Sequence, residues 1–441
     1  MLWTDKANKY LKKYWNIEQL KDKQIEVINS LLLGNDVIGL LPTGYGKSLC
    51  YILPAMVTKK VIFIISPLIS LMDEQKEKLH SIGIPCAALH GNNDNKNEEI
   101  QLIMNGKIKI VYMSPEYLIK SDGLEIAKTL IENNQLKFLA VDESHCISVW
   151  GQDFRPEYTQ INKFRECFPE IPIIAVTATA TETVCKDITK LLNLNKPVIV
   201  KTSFDRPNLS INIIKLEGIK IKRKTVYEPK EDIIINYVNK YKNDKIIIYT
   251  NSRKDTEEIA NSLNKIKNNC CAAYHAGFSK SKREEIQNNF TNGNTKIIIS
   301  TTAFGMGIDQ IVKCVLIFGC PSSIEEYYQQ IGRGGRDGLP CETVLYFDKK
   351  KLNIARFLAA KEFGESFPLL YKSKIDNLNK IKNLIELESC RRKYILKYFN
   401  EDCKFINCNN CDNCCKKVIK LKENKNETID IFDKFDKYNI V

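Results

Sequence analysis

The sequence lacks any apolar run of the roughly 18–20 residues that a membrane-spanning helix needs. Residues 1–6 also lack the long apolar stretch that begins a secretory signal, and no repeat at solenoid periods is evident. We therefore expect an intracellular protein, in the nucleus or the cytoplasm, with no membrane partner. Because that setting is reducing, the 16 cysteines are not expected to form a disulfide framework.

The composition is that of a folded, basic protein. A chain of 441 residues with 44% hydrophobic residues has room for two to four domains and is not wholly disordered. Lys and Arg number 66 against 53 Asp and Glu, and the net charge of +13 favours a polyanionic partner. Residues 351–441 hold 19 Lys and Arg against 13 Asp and Glu, so we expect this region, including Arg391, Arg392 and Lys393, to contact a nucleic-acid backbone.

Short apolar, β-branched runs alternate with longer helical patterns over the first 350 residues. This alternation is typical of parallel sheets that are covered by helices on both faces. The runs form two series: 36–41, 61–66, 108–114, 138–142 and 173–177, followed by 246–249, 297–300, 315–318 and 344–347. Two series predict an α/β fold with two such domains in tandem.

The domain boundaries follow from changes in pattern. Pro207 lies in the break between the two series and disfavours helix in the residue before it. We place the domains at 1–203 and 204–350, with the basic segment 218–230 as a surface loop or hairpin. Apolar residues at helical spacing then predict a small helical subdomain over 351–415, and residues 416–441 form a charged tail.

Residues 41–48 (LPTGYGKS) come directly after a predicted strand and open a helical pattern. Glycines in such a loop let backbone N–H groups converge on phosphates, the lysine reaches the β and γ phosphates, and the serine binds Mg²⁺. Leu41 stands where the longer phosphate-loop pattern has its first glycine, so this is the shorter Thr-Gly-x-Gly-Lys-Ser form. The alternative is a glycine-rich turn without a ligand. The candidate nucleotide-binding residues are Thr43, Gly44, Gly46, Lys47 and Ser48.

Two adjacent acids, Asp142 and Glu143, end another apolar run. A carboxylate at the end of a parallel strand can hold the Mg²⁺ of a nucleotide, and a second one can orient or deprotonate the attacking water. Behind a phosphate loop, the pattern assigns the metal to Asp142 and the water to Glu143.

Several ordered segments resemble a known family. The Asp-Glu-x-His box at 142–145, with residues 177–179 (TAT) and 329–336 (QQIGRGGR), is similar to superfamily 2 helicases. More narrowly, the chain resembles the RecQ family of DNA helicases from about residue 10 to 415. That resemblance also rests on residues 66–72, 154–158, 274–277 and 303–309. It implies two RecA-like P-loop NTPase domains and a small helical zinc-binding subdomain.

The resemblance also implies roles for individual residues in ATP hydrolysis. Lys47 and Ser48 would bind the phosphates. Arg336 and Arg333 would reach across from the second domain as arginine fingers. The alternative for both arginines is a surface salt bridge. His145 would link the nucleotide site to the following loop or to Thr177 and Thr179. Gln24 would bind adenine. Ile17 and Lys21 occupy the places of the aromatic and arginine residues that usually enclose the base in the family.

Residues 148–156 (SVWGQDFRP) mix aromatic and polar side chains just beyond the acidic box. Aromatic faces can stack on unpaired bases without reading their sequence. By resemblance, Trp150 and Phe154 would sense single-stranded DNA and Arg155 would connect them to the ATP site. A plain core position is the alternative for Phe154.

Three thiols at two-residue spacing, Cys408, Cys411 and Cys414, follow Cys390 in the sequence. Four thiolates suit tetrahedral Zn²⁺, and we predict that these four bind it. Cys403 and Cys415 are surplus, and either could replace Cys390 or Cys414. An iron–sulfur cluster is the competing chemistry.

The resemblance implies an ATP-dependent helicase and translocase that moves 3′ to 5′ on single-stranded and forked DNA, in repair, recombination or replication, as a monomer. Two alternatives stay open. The first is a superfamily 2 RNA helicase or remodelling ATPase, because a motor that contacts phosphates can accept RNA. The second is a non-motor zinc protein that binds nucleic acid. The sequence continues for 26 residues after Cys415. We therefore expect neither the winged-helix domain nor the further helical domain of many relatives, and weaker unwinding.

Overall fold

The computed structural model describes residues 3–151, 154–216, 219–221, 224–226, 229–267, 270–304 and 310–415. Some predicted features therefore lie wholly or partly outside the described residues. These are the tail 416–441, residues 305–309 of the segment 303–309, residues 152–153 of the loop 148–156, and residues 218, 222–223 and 227–228 of the segment 218–230. Within the described ranges, no helix is both long and apolar enough to cross a membrane.

Seven parallel strands form the N-terminal sheet. They are β1 (Val37–Leu40), β2 (Val61–Ile65), β3 (Cys86–Leu89), β4 (Ile110–Met113), β5 (Leu136–Val141), β6 (Ile173–Thr177) and β7 (Val198–Lys201). Their order is β3-β4-β2-β5-β6-β1-β7, and every pairing in this sheet is parallel. Strands β1, β2 and β4 are buried along their whole length, because helices cover both faces of the sheet.

Nine α-helices and two 3-10 helices belong to this part of the described chain. The α-helices are α1 (Trp3–Trp15), α2 (Asp22–Leu32), α3 (Leu49–Thr58), α4 (Ile69–Ser81), α5 (Lys96–Met104), α6 (Pro115–Ile119), α7 (Ser121–Glu132), α8 (Asn162–Cys167) and α9 (Glu182–Leu191). The 3-10 helices span Ser144–Ile147 and Pro156–Ile161, on either side of the aromatic-containing loop.

A second parallel sheet follows in the chain. Its strands are β8 (Leu209–Lys215), β11 (Ile246–Thr250), β12 (Cys271–Tyr274), β13 (Ile297–Ser300), β14 (Cys314–Gly319) and β15 (Cys341–Phe347), in the order β12-β13-β11-β14-β15-β8. Between β8 and β11, the strands β9 (Ile219–Ile221) and β10 (Lys224–Val226) pair antiparallel, so the hairpin alternative for this segment is confirmed. The helices of this part are α10 (Lys230–Lys240), α11 (Arg253–Ile266), α12 (Lys280–Thr291) and α13 (Ile324–Ile331).

Helices dominate the remainder: α14 (Lys349–Phe363), α15 (Pro368–Glu386), α16 (Arg391–Tyr398) and α17 (Asp412–Cys415). The apolar residues predicted at helical spacing are Leu378, Ile381, Leu384, Ile385 and Leu387. The first four are buried on α15, whereas Leu387 follows the last residue of the helix and is only partly buried. This helical module is attached to the edge of the second sheet, where the Ile211 amide donates to the Asn410 carbonyl at 3.1 Å.

The predicted tandem α/β fold is confirmed, but the apolar runs did not identify every strand. Strands β3 and β12 were missed because they are rich in small alanines (CAAL and CAAY) and resemble helical sequence. Strands β7 and β8 were missed because they lie at sheet edges. In β8, buried and partly exposed residues alternate, so no continuous apolar run exists there.

Candidate functional site

The phosphate loop connects the end of β1 to the start of α3. Gly44 and Gly46 have φ angles of +82° and +91°, in the left-handed region that favours glycine. A Cβ at Gly46 would lie 2.5 Å from Nε2 of Gln24, so a side chain there would collide with Gln24. The loop leads straight into the N-terminus of α3, where backbone N–H groups and the helix dipole favour an anion.

Gln24 connects the phosphate loop to the start of α2 through hydrogen bonds. Its Oε1 accepts from the Lys21 amide at 2.9 Å, and its Nε2 donates to the carbonyls of Tyr45 at 3.0 Å and Gly46 at 3.1 Å. The side chain is buried. Gln24 therefore lies beside the phosphate loop, and its contact with a base stays a prediction.

The two acids of the box lie directly after β5, facing the loop. Nζ of Lys47 is 3.7 Å from Oε1 of Glu143. Burial and the charge of Glu143 raise the pKa of Asp142 to about 6. Burial would raise the pKa of Glu143 as well, but the charges of Lys47 and His145 outweigh it and lower that pKa. Glu143 is therefore ionised at neutral pH, as a residue that orients or deprotonates water must be.

The sequence did not single out Tyr51, whose hydroxyl donates to Oδ2 of Asp142 at 3.1 Å. Tyr51 lies on the first turn of α3, directly after the phosphate loop. That position was the signal that the sequence offered. With Ser48 and Asp142 both close to the loop, the donor set is hydroxyl and carboxylate oxygen, which fits Mg²⁺.

A chain of polar contacts leads from the acids towards the second sheet. Nδ1 of His145 lies 2.8 Å from Oγ1 of Thr177 and 3.3 Å from Oε2 of Glu143. The Thr179 amide donates to Oγ1 of Thr177 at 3.2 Å, and Nε2 of Gln329, on α13, donates to Oγ1 of Thr179 at 3.4 Å. His145 thus contacts Thr177 directly and is linked to Thr179 through it, while the role of this link in the reaction stays a prediction.

The two arginines that follow α13 lie at the same site as the phosphate loop and the acidic box. A Cβ at Gly44 would be 3.6 Å from Cγ and Cδ of Arg336, so the arginine side chain covers the phosphate loop. Arg333 is only 9% exposed, which contradicts the surface-salt-bridge alternative for this residue. Burial, together with the charge of Arg336, lowers the pKa of Arg333 to about 10, so the residue stays positively charged at neutral pH.

The loop with the aromatic residues lies against the acidic box. A Cβ at Gly151 would be 2.2 Å from the His145 carbonyl oxygen, a contact that only glycine permits. Trp150 packs partly buried against the core. The Arg155 guanidinium donates to the Pro67 carbonyl, in the segment 66–72. Phe154 is partly buried, while Gln152 and Asp153 of this loop lie outside the described residues.

Four thiols meet in the helical module. Sulfur atoms of Cys390, Cys408, Cys411 and Cys414 all lie within 4.8 Å of one another, and those of Cys408 and Cys414 are 4.0 Å apart. Tetrahedral zinc with Zn–S bonds of about 2.3 Å needs sulfurs about 3.8 Å apart, so the four thiols fit Zn²⁺. Cys403 and Cys415 are not in this group, and Cys415 is exposed.

The expectation that Arg391 and Arg392 contact a nucleic-acid backbone is wrong. Both are buried, at 5% and 4% exposure. Arg391 pairs with Asp412 next to the thiols, with Nε 2.6 Å from Oδ1. Arg392 pairs with Asp205 at 2.8 Å and donates to the carbonyls of Arg206 and Leu209. Arg392 therefore attaches the zinc module to residues 205–209, whereas Arg391 connects parts of the module to each other. Only Lys393 of the three basic residues is exposed.

Comparison with family models covers most of the chain. A DEAD/DEAH box helicase model matches residues 21–188, a helicase conserved C-terminal domain model matches 229–338, and a RecQ zinc-binding model matches 353–415. The matched ranges contain, in turn, the phosphate loop, the segment with Arg333 and Arg336, and the four cysteines.

Two relatives illustrate the similarity at the level of whole chains. A putative ATP-dependent RNA helicase of Acanthamoeba polyphaga mimivirus is 39% identical over 400 residues, which are 90% of this chain and 70% of the relative. The ATP-dependent DNA helicase RecQ of Pasteurella multocida is 38% identical over 390 residues, 87% of this chain. The chain spans only 58% of that relative's length.

Solved structures show the same fold at low identity. The helicase MrfA bound to DNA aligns with a TM-score of 0.65 at 18% identity, covering 79% of this chain and 49% of that one. The DEAD-box helicase Mss116 bound to single-stranded RNA aligns with a TM-score of 0.61 at 20% identity, covering 90% of this chain and 87% of that one.

Two RecA-like sheets with a phosphate loop in the first and two arginines opposite it define a superfamily 2 helicase. The zinc-binding model and the relatives narrow the class further. The chain belongs to the RecQ family, and ATP, Mg²⁺ and Zn²⁺ are the cofactors that accompany this membership.

Proposed function

We propose that this protein is an ATP-dependent DNA helicase and translocase that moves 3′ to 5′ along single-stranded DNA and separates forked duplexes. One observation carries the proposal: Arg336 covers the phosphate loop of the other sheet at Gly44. An arginine from one domain that reaches the phosphates on another makes hydrolysis depend on domain closure. Closure that follows the nucleotide cycle is what a translocating motor needs.

Each residue around the phosphate loop has its own role in ATP hydrolysis. Lys47 and the loop amides bind the β and γ phosphates, and Ser48 and Asp142 hold Mg²⁺, which neutralises charge on the phosphates when bound. Glu143, kept ionised by Lys47 and His145, orients the attacking water and accepts its proton. Arg336 and Arg333 stabilise the charge that develops on the γ phosphate, and Gln24 contacts the base.

The loop 148–156 couples DNA to this chemistry. Trp150 and Phe154 stack on unpaired bases, a contact worth about 1–3 kcal/mol for each base. Because Gly151 touches the His145 carbonyl and Arg155 donates to Pro67, displacement of the loop moves the acidic box. DNA binding thereby changes the position of Glu143 relative to the phosphates.

The domain ranges and the remaining assignments belong to the same proposal. The motor domains span 1–203 and 204–350, and the zinc module spans 351–415 with Cys390, Cys408, Cys411 and Cys414 as ligands. The burial of Arg391 and Arg392 supports a structural role for this zinc. We further infer an intracellular monomer, in the nucleus or the cytoplasm, where reduced thiolates are available to the metal.

RNA is the second candidate substrate. The mimivirus relative, which this chain covers to 70% of its length, is named as a putative RNA helicase. A motor that binds the phosphate backbone discriminates weakly between DNA and RNA unless it recognises the 2′-OH.

Hydrolysis of ATP in the presence of matched nucleic acids tests the proposal. We would measure steady-state ATPase rates with single-stranded DNA, blunt duplex DNA and single-stranded RNA of equal length and sequence. The proposal predicts the highest rate with single-stranded DNA. Preferential stimulation by RNA would establish the second candidate, and a lack of stimulation by all three would contradict a motor function.

A further inference from the structure

The phosphate loop carries an aromatic residue, Tyr45, between its two left-handed glycines. Nζ of Lys21 lies 4.4 Å from the centroid of the Tyr45 ring. The Tyr45 carbonyl accepts from Nε2 of Gln24 at 3.0 Å. A ring, a cation and an amide from two separate parts of the chain therefore meet on one flank of the loop, beside the start of α2.

Lys21 lies over the ring and is itself an exposed residue. Partial burial, and to a lesser extent the charge of Arg206, lowers the pKa of Lys21. An ammonium that has lost part of its hydration gains from the negative face of an aromatic ring. The Tyr45 ring thus attracts the Lys21 ammonium to its face towards α2, and the same face can accept a flat aromatic group.

The phosphate contacts alone cannot select a base. Loop amides and Lys47 bind groups that every nucleoside triphosphate shares, so any preference for the base must come from side chains beside the loop. A purine is flat, stacks on aromatic side chains and carries a hydrogen-bonding edge that an amide can match. Ile17, which stands where the family has its aromatic residue, is 39% exposed but aliphatic. It offers no aromatic ring to a base, whereas Tyr45 does.

We propose that Tyr45 is the base-stacking residue of this nucleotide site, with the purine lying on the ring face that Lys21 now covers. The Lys21 side chain has a flexible four-carbon stem and moves aside when the base enters. The Gln24 amide then lies next to the edge of the base. This inference rests on the proposed ATP-dependent function and adds to it the residue that recognises the nucleoside.

Direct binding measurements separate the base from the phosphates. We would determine Kd values by calorimetry for ATP and for inorganic tripolyphosphate, using the full chain, Tyr45→Ala and the matched control Tyr45→Phe. Loss of a stacking contact should weaken ATP binding by Tyr45→Ala about tenfold or more. Tyr45→Phe keeps the ring and should stay within about twofold of the unsubstituted protein, as should tripolyphosphate binding by all three.

The outcomes distinguish this inference from the function on which it rests. Equal ATP affinity in Tyr45→Ala and the unsubstituted protein would overturn the stacking role and leave the ATPase proposal standing. An equal loss of ATP and tripolyphosphate affinity would also overturn it, because Tyr45 would then act on the shape of the phosphate loop. An unsubstituted protein that binds no ATP would overturn both.

Discussion

Arg336 lies across the phosphate loop at Gly44, although the two residues belong to different sheets. A Cβ at Gly44 would be 3.6 Å from Cγ and Cδ of Arg336. Gly44 follows β1, whereas Arg336 follows α13 on the other sheet. Under the proposed function, a positive side chain at this place contacts the phosphates only while the two sheets stay together, and this contact couples closure to hydrolysis.

Arg336→Ala should therefore lower kcat for ATP hydrolysis by about 10³-fold or more, because arginine fingers contribute about 10³–10⁵ in related enzymes. The variant should still bind ATP, since Lys47 and the loop amides are intact. Measurements of the ATP hydrolysis rate and of the ATP dissociation constant on the same protein check both expectations. Arg356→Ala is a matched control, because Arg356 bonds to Asn379 on α15, in the helical module. Comparable kcat values for the two variants would refute the finger assignment.

Trp150→Ala should lower the ratio of DNA-stimulated to basal ATPase rates towards one. The ring supplies a stacking surface of about 1–3 kcal/mol for an unpaired base, and its loop contacts His145 through Gly151. A titration with single-stranded DNA measures the ratio. Trp150→Phe keeps an aromatic face and should retain most of the stimulation. Full stimulation of the alanine variant would rule out this account of the loop.

Cys411→Ser should release the metal from the zinc module and lower Tm by more than about 5 °C. Cys411 is buried within the four-thiol group, whereas Cys415 is exposed and outside it. Cys415→Ser is therefore the matched control and should keep about one zinc ion per chain. Elemental analysis of the purified proteins decides the point. Iron in place of zinc, or zinc loss in the control, would contradict the ligand assignment.

Arg392→Ala should destabilise the protein by about 1–3 kcal/mol, because the substitution leaves the carbonyls of Arg206 and Leu209 without their hydrogen-bond donor. Lys393→Ala, at the neighbouring exposed position, should change stability by less than about 0.5 kcal/mol. Denaturant unfolding measures both. If Arg392 instead contacted DNA, its variant would lose DNA affinity at unchanged stability.

Local patterns predicted much of the site. The phosphate loop, the acids after β5 and the cysteine spacing each occupy a few consecutive residues, and the chemistry of phosphate or metal binding dictates which residues stand there. The family resemblance likewise links His145 with Thr177, because both belong to segments that the resemblance identifies.

Contacts between distant parts of the chain could not be predicted in this way. Arg392 is buried because Asp205 and the Leu209 carbonyl, 187 and 183 residues away in sequence, receive its hydrogen bonds. A run of three basic residues resembles a nucleic-acid contact unless that packing is known. Likewise, β8 and β12 have little local signal of their own, and the neighbouring strands of the sheet determine their conformation.

Unwinding of a tailed duplex shows directly whether the protein separates DNA strands while it moves 3′ to 5′. A fluorescently labelled duplex with a single-stranded 3′ tail would be incubated with the protein, ATP and Mg²⁺, beside the same duplex with a 5′ tail. Glu143→Gln, which keeps the shape of the residue at the water position but removes its charge, is the control for dependence on hydrolysis. We expect ATP-dependent strand separation of the 3′-tailed DNA by the unsubstituted protein and none by the Glu143 variant. Equal separation by the variant, or separation only of the corresponding RNA, would contradict this expectation.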